Sequence, residues 1–300
     1  MPSTRARTAS WTAGILAAAV VVIASFAAFA APGEPTADPT PSATATPTPT
    51  ATPTPIPTPA PIRGAPENTA EYDPTALPAI DVWSVTPGIP VDDDPFGALT
   101  GLLAQPRTAA PIFADPAGEP LGYLPSTATY GGTIVPVITR DTHWVKVLLA
   151  GRQGVPPAGD ATQTVGWLRV SDVYLSHVEQ SVEVSLGNRT IDIVGAAGVE
   201  RVANDFAWGK DATPTPLGRT FVMLTAVVPE HEYTEGHPLV YLGAQSPTLA
   251  GFDGGVVAVT AFHYYKTRSG DNSFGCIYLD APAIDRLAQL PAGTPVIIRP

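Results

Sequence analysis

The sequence predicts a mainly β protein: a C-terminal β-sandwich with one short helix, preceded by a small β-barrel and a disordered Pro/Thr-rich linker. Three observations carry this. Short apolar–polar alternations separated by turn residues recur from Pro106 to the C-terminus. One run, after Asp280, has helical spacing. Pro, at 35 of 300 residues against 27 Gly, is concentrated in the N-terminal third, which is too poor in apolar residues to offset the entropy of ordering.

Taken in order, residues 1–31 have the layout of an export signal or a one-pass membrane anchor. Arg5 and Arg7 precede an apolar run from Trp11 to Ala31 broken only by Thr12, Gly14 and Ser25, and Ala28-Phe29-Ala30 fits a small-x-small cleavage site. The chain is therefore expected outside the cytoplasm, in the cell envelope, with this segment either in contact with the membrane or removed. Residues 32–105 form the linker. Within it, Pro35 to Pro61 is a Pro/Thr/Ala tract that favours polyproline II and at ~3.1 Å per residue reaches on the order of 80 Å. From Arg63 to Gln105 the chain stays Pro-rich and acidic, with Asp92-Asp93-Asp94. Trp83, Phe96, Leu102 and Leu103 are its expected points of docking on a folded neighbour. Sixteen Lys+Arg against 27 Asp+Glu, a formal charge of -11, argue against nucleic acid as a partner.

Residues 106–176 carry the strands expected of the barrel: Ile112-Phe113, Gly122 to Leu124, Thr133 to Ile138, Trp144 to Leu149 and Val165 to Leu168. THWVKVLL and VGWLRVSDV resemble the small Src-homology-type barrels of bacterial envelope proteins, which implies a cell-wall-binding or spacer module. Residues 180–300 open with Val182 to Leu186 and Arg189 to Val194, alternating on either side of Gly187-Asn188, which reads as a hairpin with a two-residue turn. Further strands are expected at Thr220 to Val228, Val256 to His263 and Pro295 to Arg299. Asp280 is placed to cap a helix with Ile284, Leu287 and Leu290 on one face.

Cys276 is the only cysteine. In an exported chain a lone thiol is buried and inert, paired with another chain, or kept free for chemistry. It follows a Ser273-Phe274-Gly275 turn, 13 positions after His263, which ends an apolar strand. A connection of that length can fold back to bring imidazole and thiol together. Chemistry would need the pairing because a free thiol is only a few per cent thiolate at neutral pH, and a neighbouring base can take its proton. Gly275, lacking a Cβ, lets the backbone amides of Phe274, Gly275 and Cys276 turn toward a developing oxyanion.

Ser273-x-Gly275-Cys276-Ile277 after His263, with Thr213-Pro214-Thr215-Pro216-Leu217-Gly218 upstream, resembles the L,D-transpeptidase (YkuD-like) family over roughly 120 residues, 182–300. The resemblance implies Cys276 as nucleophile, His263 as general base, and Ser273, Phe274 and Gly275 as support for the site and its oxyanion hole. It further implies peptidoglycan stem peptides as substrate, acylation by β-lactams of the carbapenem class, and no metal or organic cofactor. The chain departs from the family pattern at Phe274, where many members have His, at Tyr264 in place of Gly, and at Tyr278 in place of Arg or Asn. Tyr264, Tyr278 and Arg268 are thus the candidates for substrate contact, Arg268 in compensation for the missing cation.

Three other readings stay open. The same site with water as acceptor would be an L,D-carboxypeptidase. A site decayed at positions 264, 274 and 278 would leave a non-catalytic wall-binding protein. A sortase-type enzyme also orders His before Cys, but it would carry an Arg on a strand beyond the Cys, and here Arg286 falls in the expected helix. Glu230, His231, Glu232, Glu235 and His237 hold metal-ligand chemistry in an irregular loop.

Overall fold

The structure, a computed structural model, describes residues 64–300. The expectations for the export or anchor segment and for the Pro/Thr tract fall outside the described residues. Among the described residues no helix is long and apolar enough to cross a membrane. As the sequence predicts, the protein is mainly β with one short helix, built on two curled sheets.

The first sheet has seven strands: β1 (Leu102–Pro106), β2 (Ala110–Phe113), β3 (Pro120–Leu124), β4 (Val135–Arg140), β5 (Trp144–Leu148), β6 (Val165–Arg169) and β7 (Val173–His177). They lie in the order β3-β2-β6-β5-β4-β1-β7, and every pair is antiparallel. Residues 64–101, nearly devoid of regular structure, pack against this sheet. Their anchors are Ile80, Val82 and Ile89, all 3% exposed or less and part of the sheet's core. Trp83 and Phe96, expected to dock, stay 45% and 40% exposed, so the aliphatic neighbours do the burying instead. Polar ties add to them: Trp144 donates its indole N–H to the Pro66 carbonyl at 2.8 Å, and Gln245 donates to the Val82 carbonyl at 2.9 Å.

The second sheet contains β8 (Gln180–Ser185), β9 (Thr190–Gly195), β10 (Gly198–Ala203), β11 (Ala207–Gly209), β12 (Gly218–Ala226), β13 (Leu239–Gln245), β14 (Val259–Tyr264), β15 (Gly270–Ser273), β16 (Ile277–Leu279) and, after the helix α1 (Ala281–Leu287), β17 (Pro295–Arg299). Their order is β10-β9-β8-β17-β12-β13-β14-β16-β11-β15. The β8–β9 hairpin follows its alternation, with Val182, Val184, Ile191 and Ile193 buried. Its turn is longer than expected, because Ser185 pairs with Thr190 and four residues lie between, with Arg189 in the left-handed region at φ 55°. Asp280 caps α1 by accepting from the Ala283 N–H at 3.0 Å, and Ile284, Leu287 and Leu290 are buried against the sheet.

Strands β12, β13 and β14 are covered on both faces, which is why β12 is buried from Gly218 to Met223 rather than alternating. Val222, Val240, Leu242 and Phe262 face the core under α1. Phe221 and Met223 join the core of the first sheet. Arg219 on β12 forms a two-bond ion pair with Asp92 of the N-terminal segment, at 2.7 and 2.9 Å, both side chains buried. The face of the second sheet that meets the first module is also the face where His263 and Cys276 emerge.

Candidate active site

The register of β14 against β16 decides where the lone thiol sits. These strands pair in parallel, Phe262 opposite Ile277 and His263 opposite Tyr278. Cys276, one residue before β16, therefore falls level with Ala261, diagonal to His263 on the next strand. Side chains alternate along a strand, so Val259, Ala261 and His263 share one face while Phe262 points to the opposite core. Diagonal neighbours on adjacent strands have Cβ atoms roughly 7–8 Å apart, within reach of a side chain and a bound substrate. Both His263 and Cys276 line a single cavity of about 280 Å³.

Cys276 is a free thiol, partly open to this cavity. Its apolar surroundings push the thiol up to about 11, and the Ala261 N–H, which hydrogen bonds to the sulfur, pulls the other way. His263 is 5% exposed, and burial pulls it down to about 4. Its Nδ1 lies 2.9 Å from the carbonyl of Tyr264, a contact that only a protonated Nδ1 can make favourable. Nε2 is thereby left as the basic nitrogen. Among the described residues no hydrogen bond links His263 to Cys276, so the resting pair is a neutral imidazole beside a neutral thiol.

The turn before Cys276 is held from two sides. Ser273, fully buried, donates its hydroxyl to the Cys276 carbonyl at 2.5 Å and accepts the Gly275 N–H at 3.0 Å. Gly275 adopts φ +112°, a conformation that disfavours any side chain. Thr213 and Thr215 then brace the outside: their hydroxyls donate to the carbonyls of Ser273, at 3.1 Å, and Gly275, at 2.9 Å. Thr215 Oγ1 also accepts from the Gly209 N–H at 2.9 Å. The Thr-Pro-Thr-Pro stretch, read from sequence as a stiff connection, is a brace for the cysteine turn. The expectation that Gly275 offers its amide to an oxyanion is corrected here, since Ser273 already occupies that donor.

The three departures from the family pattern have separate fates. Phe274 turns outward, 54% exposed, with the Lys210 ammonium 4.1 Å from its ring centroid. Its backbone lies near the Tyr278 hydroxyl and favours the charged form of that group. Tyr278 lies beside the pair, its ring centroid 4.7 Å from that of His263, and burial holds its hydroxyl up at about 12. Tyr264 faces away, against His237 at 5.0 Å, and none of Tyr264, Arg268 and Tyr278 is part of the cavity lining. Arg268 gives one terminal nitrogen to the carbonyls of Tyr265 and Lys266, has the other 3.8 Å from Asp205, and keeps its Nε buried without a hydrogen-bond partner. The polar loop near residue 231 splits between partners: His231 stacks on Tyr233, whereas His237 meets Asp285 at 2.9 Å. Among the described residues no group of three or more His, Cys, Asp or Glu is placed to hold a metal ion.

The solved structures that this chain resembles are L,D-transpeptidases. The L,D-transpeptidase from Mycobacterium smegmatis matches at 15% identity over 53% of this chain and 91% of that one, with a TM-score of 0.31. The L,D-transpeptidase LdtMt1 in complex with imipenem matches at 14% identity over 52% and 91%, with a TM-score of 0.32. The catalytic domain of the E. faecium L,D-transpeptidase matches at 23% identity over 41% and 99%, with a TM-score of 0.26. No family model matches the sequence, and no curated protein matches it. Scores of this size carry no chemistry across to Cys276.

The cavity also has walls that sequence reasoning missed. Leu239 and Tyr241 come from β13, whose unbroken Leu-Val-Tyr-Leu run hides its alternation. His231 and Tyr233 come from the loop before β13, and Val82, Trp83 and Tyr130 come from outside residues 180–300 altogether. For the last three no local pattern could have signalled the site, because the packing of the two modules creates it.

Proposed function

We propose that the chain is a cysteine acyltransferase of the L,D-transpeptidase kind, acting on peptidoglycan stem peptides outside the cytoplasm. The observation that carries this is the shared cavity: the only thiol in the protein and a histidine with a free Nε2 open into one apolar pocket from adjacent strands. With the thiol at about 11 and the imidazole at about 4, the resting pair is neutral. His263 Nε2 therefore takes the thiol proton as sulfur attacks the donor carbonyl, rather than from a preformed ion pair. Sulfur–carbon bond formation gives a tetrahedral oxyanion. The Tyr278 hydroxyl, which burial keeps protonated, is the donor to that oxyanion. The carbon–nitrogen bond to the terminal D-alanine then breaks, the amine leaves with the proton held by His263, and a thioester remains. A second stem's amine attacks the thioester, returns the thiol and completes the crosslink.

The carboxypeptidase alternative uses water at the last step. The apolar lining favours the amine, since a water there finds few polar partners. The test is the intact mass of the protein after exposure to a carbapenem, with a Cys276→Ala control. One adduct on Cys276 supports the reading. An unmodified mass would leave a wall-associated β scaffold with a decayed site.

A further inference from the structure

The cavity that holds Cys276 and His263 opens between aromatic rings. Trp83 and Tyr130, each close to half exposed, line it from outside the sheet that carries the thiol, Trp83 from the N-terminal segment and Tyr130 from the β3–β4 loop. Their rings meet edge to face at 5.2 Å and 74°. Tyr233, also close to half exposed, continues this surface inward, its ring centroid 5.3 Å from that of His263. Neither ring at the opening is loosely placed. Val82, next to Trp83, is buried and has its carbonyl held by Gln245. Gly131, after Tyr130, takes φ +70° and approaches β12 so closely that a Cβ would meet the Met223 carbonyl oxygen at 2.2 Å.

The face of an aromatic ring is the negative part of its quadrupole, and it attracts a cation within about 6 Å of the centroid, that of Trp most strongly. The charges beside this opening have the same sign. Asp81 accepts the Trp83 N–H at 2.9 Å, which sets a carboxylate next to the residue that carries the indole. Burial pushes the Tyr233 hydroxyl up to about 12, and the Asp253 carboxylate, one residue beyond the cavity-lining Phe252, adds to that shift. None of the residues lining the cavity is Lys or Arg. Arg152, 2% exposed, is turned to the carbonyls of Ala250 and Val256, at 3.1 and 2.6 Å, where it clasps the loop carrying Phe252 and Asp253. An aliphatic amine, with a pKa of about 10.4, arrives at such an opening as an ammonium ion.

We propose that Trp83 and Tyr130 form the acceptor subsite, and that the faces of their rings hold a primary amine as its ammonium ion at the opening of the cavity before it attacks the Cys276 thioester. The inference rests on the acyl-transfer reading of Cys276 and gives the N-terminal module a part in it. The acceptor enters after D-alanine, with its carboxylate, has left. The ammonium gives one proton to water, and the amine nitrogen then forms a bond to the thioester carbonyl. Its second proton passes to His263 Nε2, the carbon–sulfur bond breaks, and the departing sulfur takes that proton back as the thiol.

Occupancy is read without the chemistry, by calorimetry on the full chain carrying Cys276→Ala. The two probes are N-acetyl-Nε-trimethyl-lysine amide, a cation that cannot react, and its neutral isostere with a tert-butyl group in place of the trimethylammonium. The cation is expected to bind about fivefold tighter or more. That preference is expected to collapse in Trp83→Ala and in Tyr130→Ala and to persist in Trp83→Phe. A second measurement follows turnover: protein acylated by a p-nitrophenyl ester is given N-acetyl-lysine amide, and the amide product is counted against hydrolysis. Trp83→Ala should raise the half-saturating amine concentration several-fold, more than it lowers the limiting rate. Equal binding of the two probes to the parent, or a preference unchanged in both alanine variants, would overturn the inference while leaving acyl transfer standing. Absence of any thioester on Cys276 would overturn both.

Discussion

The hydroxyl of Thr215 donates to the carbonyl of Gly275 at 2.9 Å, across 60 positions of sequence. The same oxygen accepts the Gly209 N–H, so one side chain satisfies two buried backbone groups and fixes the turn that presents Cys276. Thr215→Val keeps the shape and removes both bonds. At about 1–3 kcal/mol for each buried group left unpaired, the variant is expected to lose about 2–4 kcal/mol in urea unfolding. It should also slow acylation of Cys276 more than Thr215→Ser does. A Val variant as stable as the parent would show that the brace is ornamental.

Tyr278 is the second place where one atom decides. Its ring packs on His263 while burial keeps its hydroxyl protonated. Tyr278→Phe removes the proposed oxyanion donor and leaves the ring. Loss of one such donor costs about 10²–10³ in turnover elsewhere, and a fall of at least tenfold in the acylation rate is expected here. Binding of the donor, read from the concentration dependence of that rate, should change little. An unchanged rate would remove Tyr278 from the mechanism.

The local parts of the protein were legible in its sequence, and the parts made by packing were not. The β8–β9 hairpin, β17, the cap at Asp280 and the spacing of His263 to Cys276 each depend on residues close together in the chain. The cavity depends on register between β14 and β16 and on the docking of residues 64–101, for which no period in the sequence stands as a sign. Phe274 shows the limit from the other side. A substitution at a family position suggests a changed pocket, yet its side chain lies outside under Lys210 and its backbone alone faces inward.

The titration of the pair predicts a plateau of stability. Cys276 is raised from 9.0 to about 11, so between those values the folded protein holds a proton that the unfolded chain releases, and stability falls as pH rises. His263 is lowered from 6.5 to about 4, so between those values the unfolded chain binds the extra proton, and stability falls as pH drops. Each contribution is about 2–3 kcal/mol at full development. Denaturant unfolding across pH should show the contribution of the pair complete between about 6.5 and 9. The alkaline loss should be smaller in Cys276→Ala and the acid loss smaller in His263→Phe. An alkaline limb identical in parent and Cys276→Ala would mean that the thiol is not held in an apolar setting.

Asp92 and Arg219 tie the N-terminal segment to the strand behind the site. The carboxylate is completely buried and accepts two hydrogen bonds from a guanidinium that is 6% exposed, which in turn donates to the Ala98 carbonyl at 3.2 Å. Removing one partner of a buried pair strands the other charge, at about 3–5 kcal/mol. Asp92→Ala should therefore lower the unfolding free energy by that amount, and Asp92→Ala with Arg219→Met should recover part of it because no orphan charge remains. Full stability in Asp92→Ala would show that this segment is held by Ile80, Val82 and Ile89 and not by the ion pair.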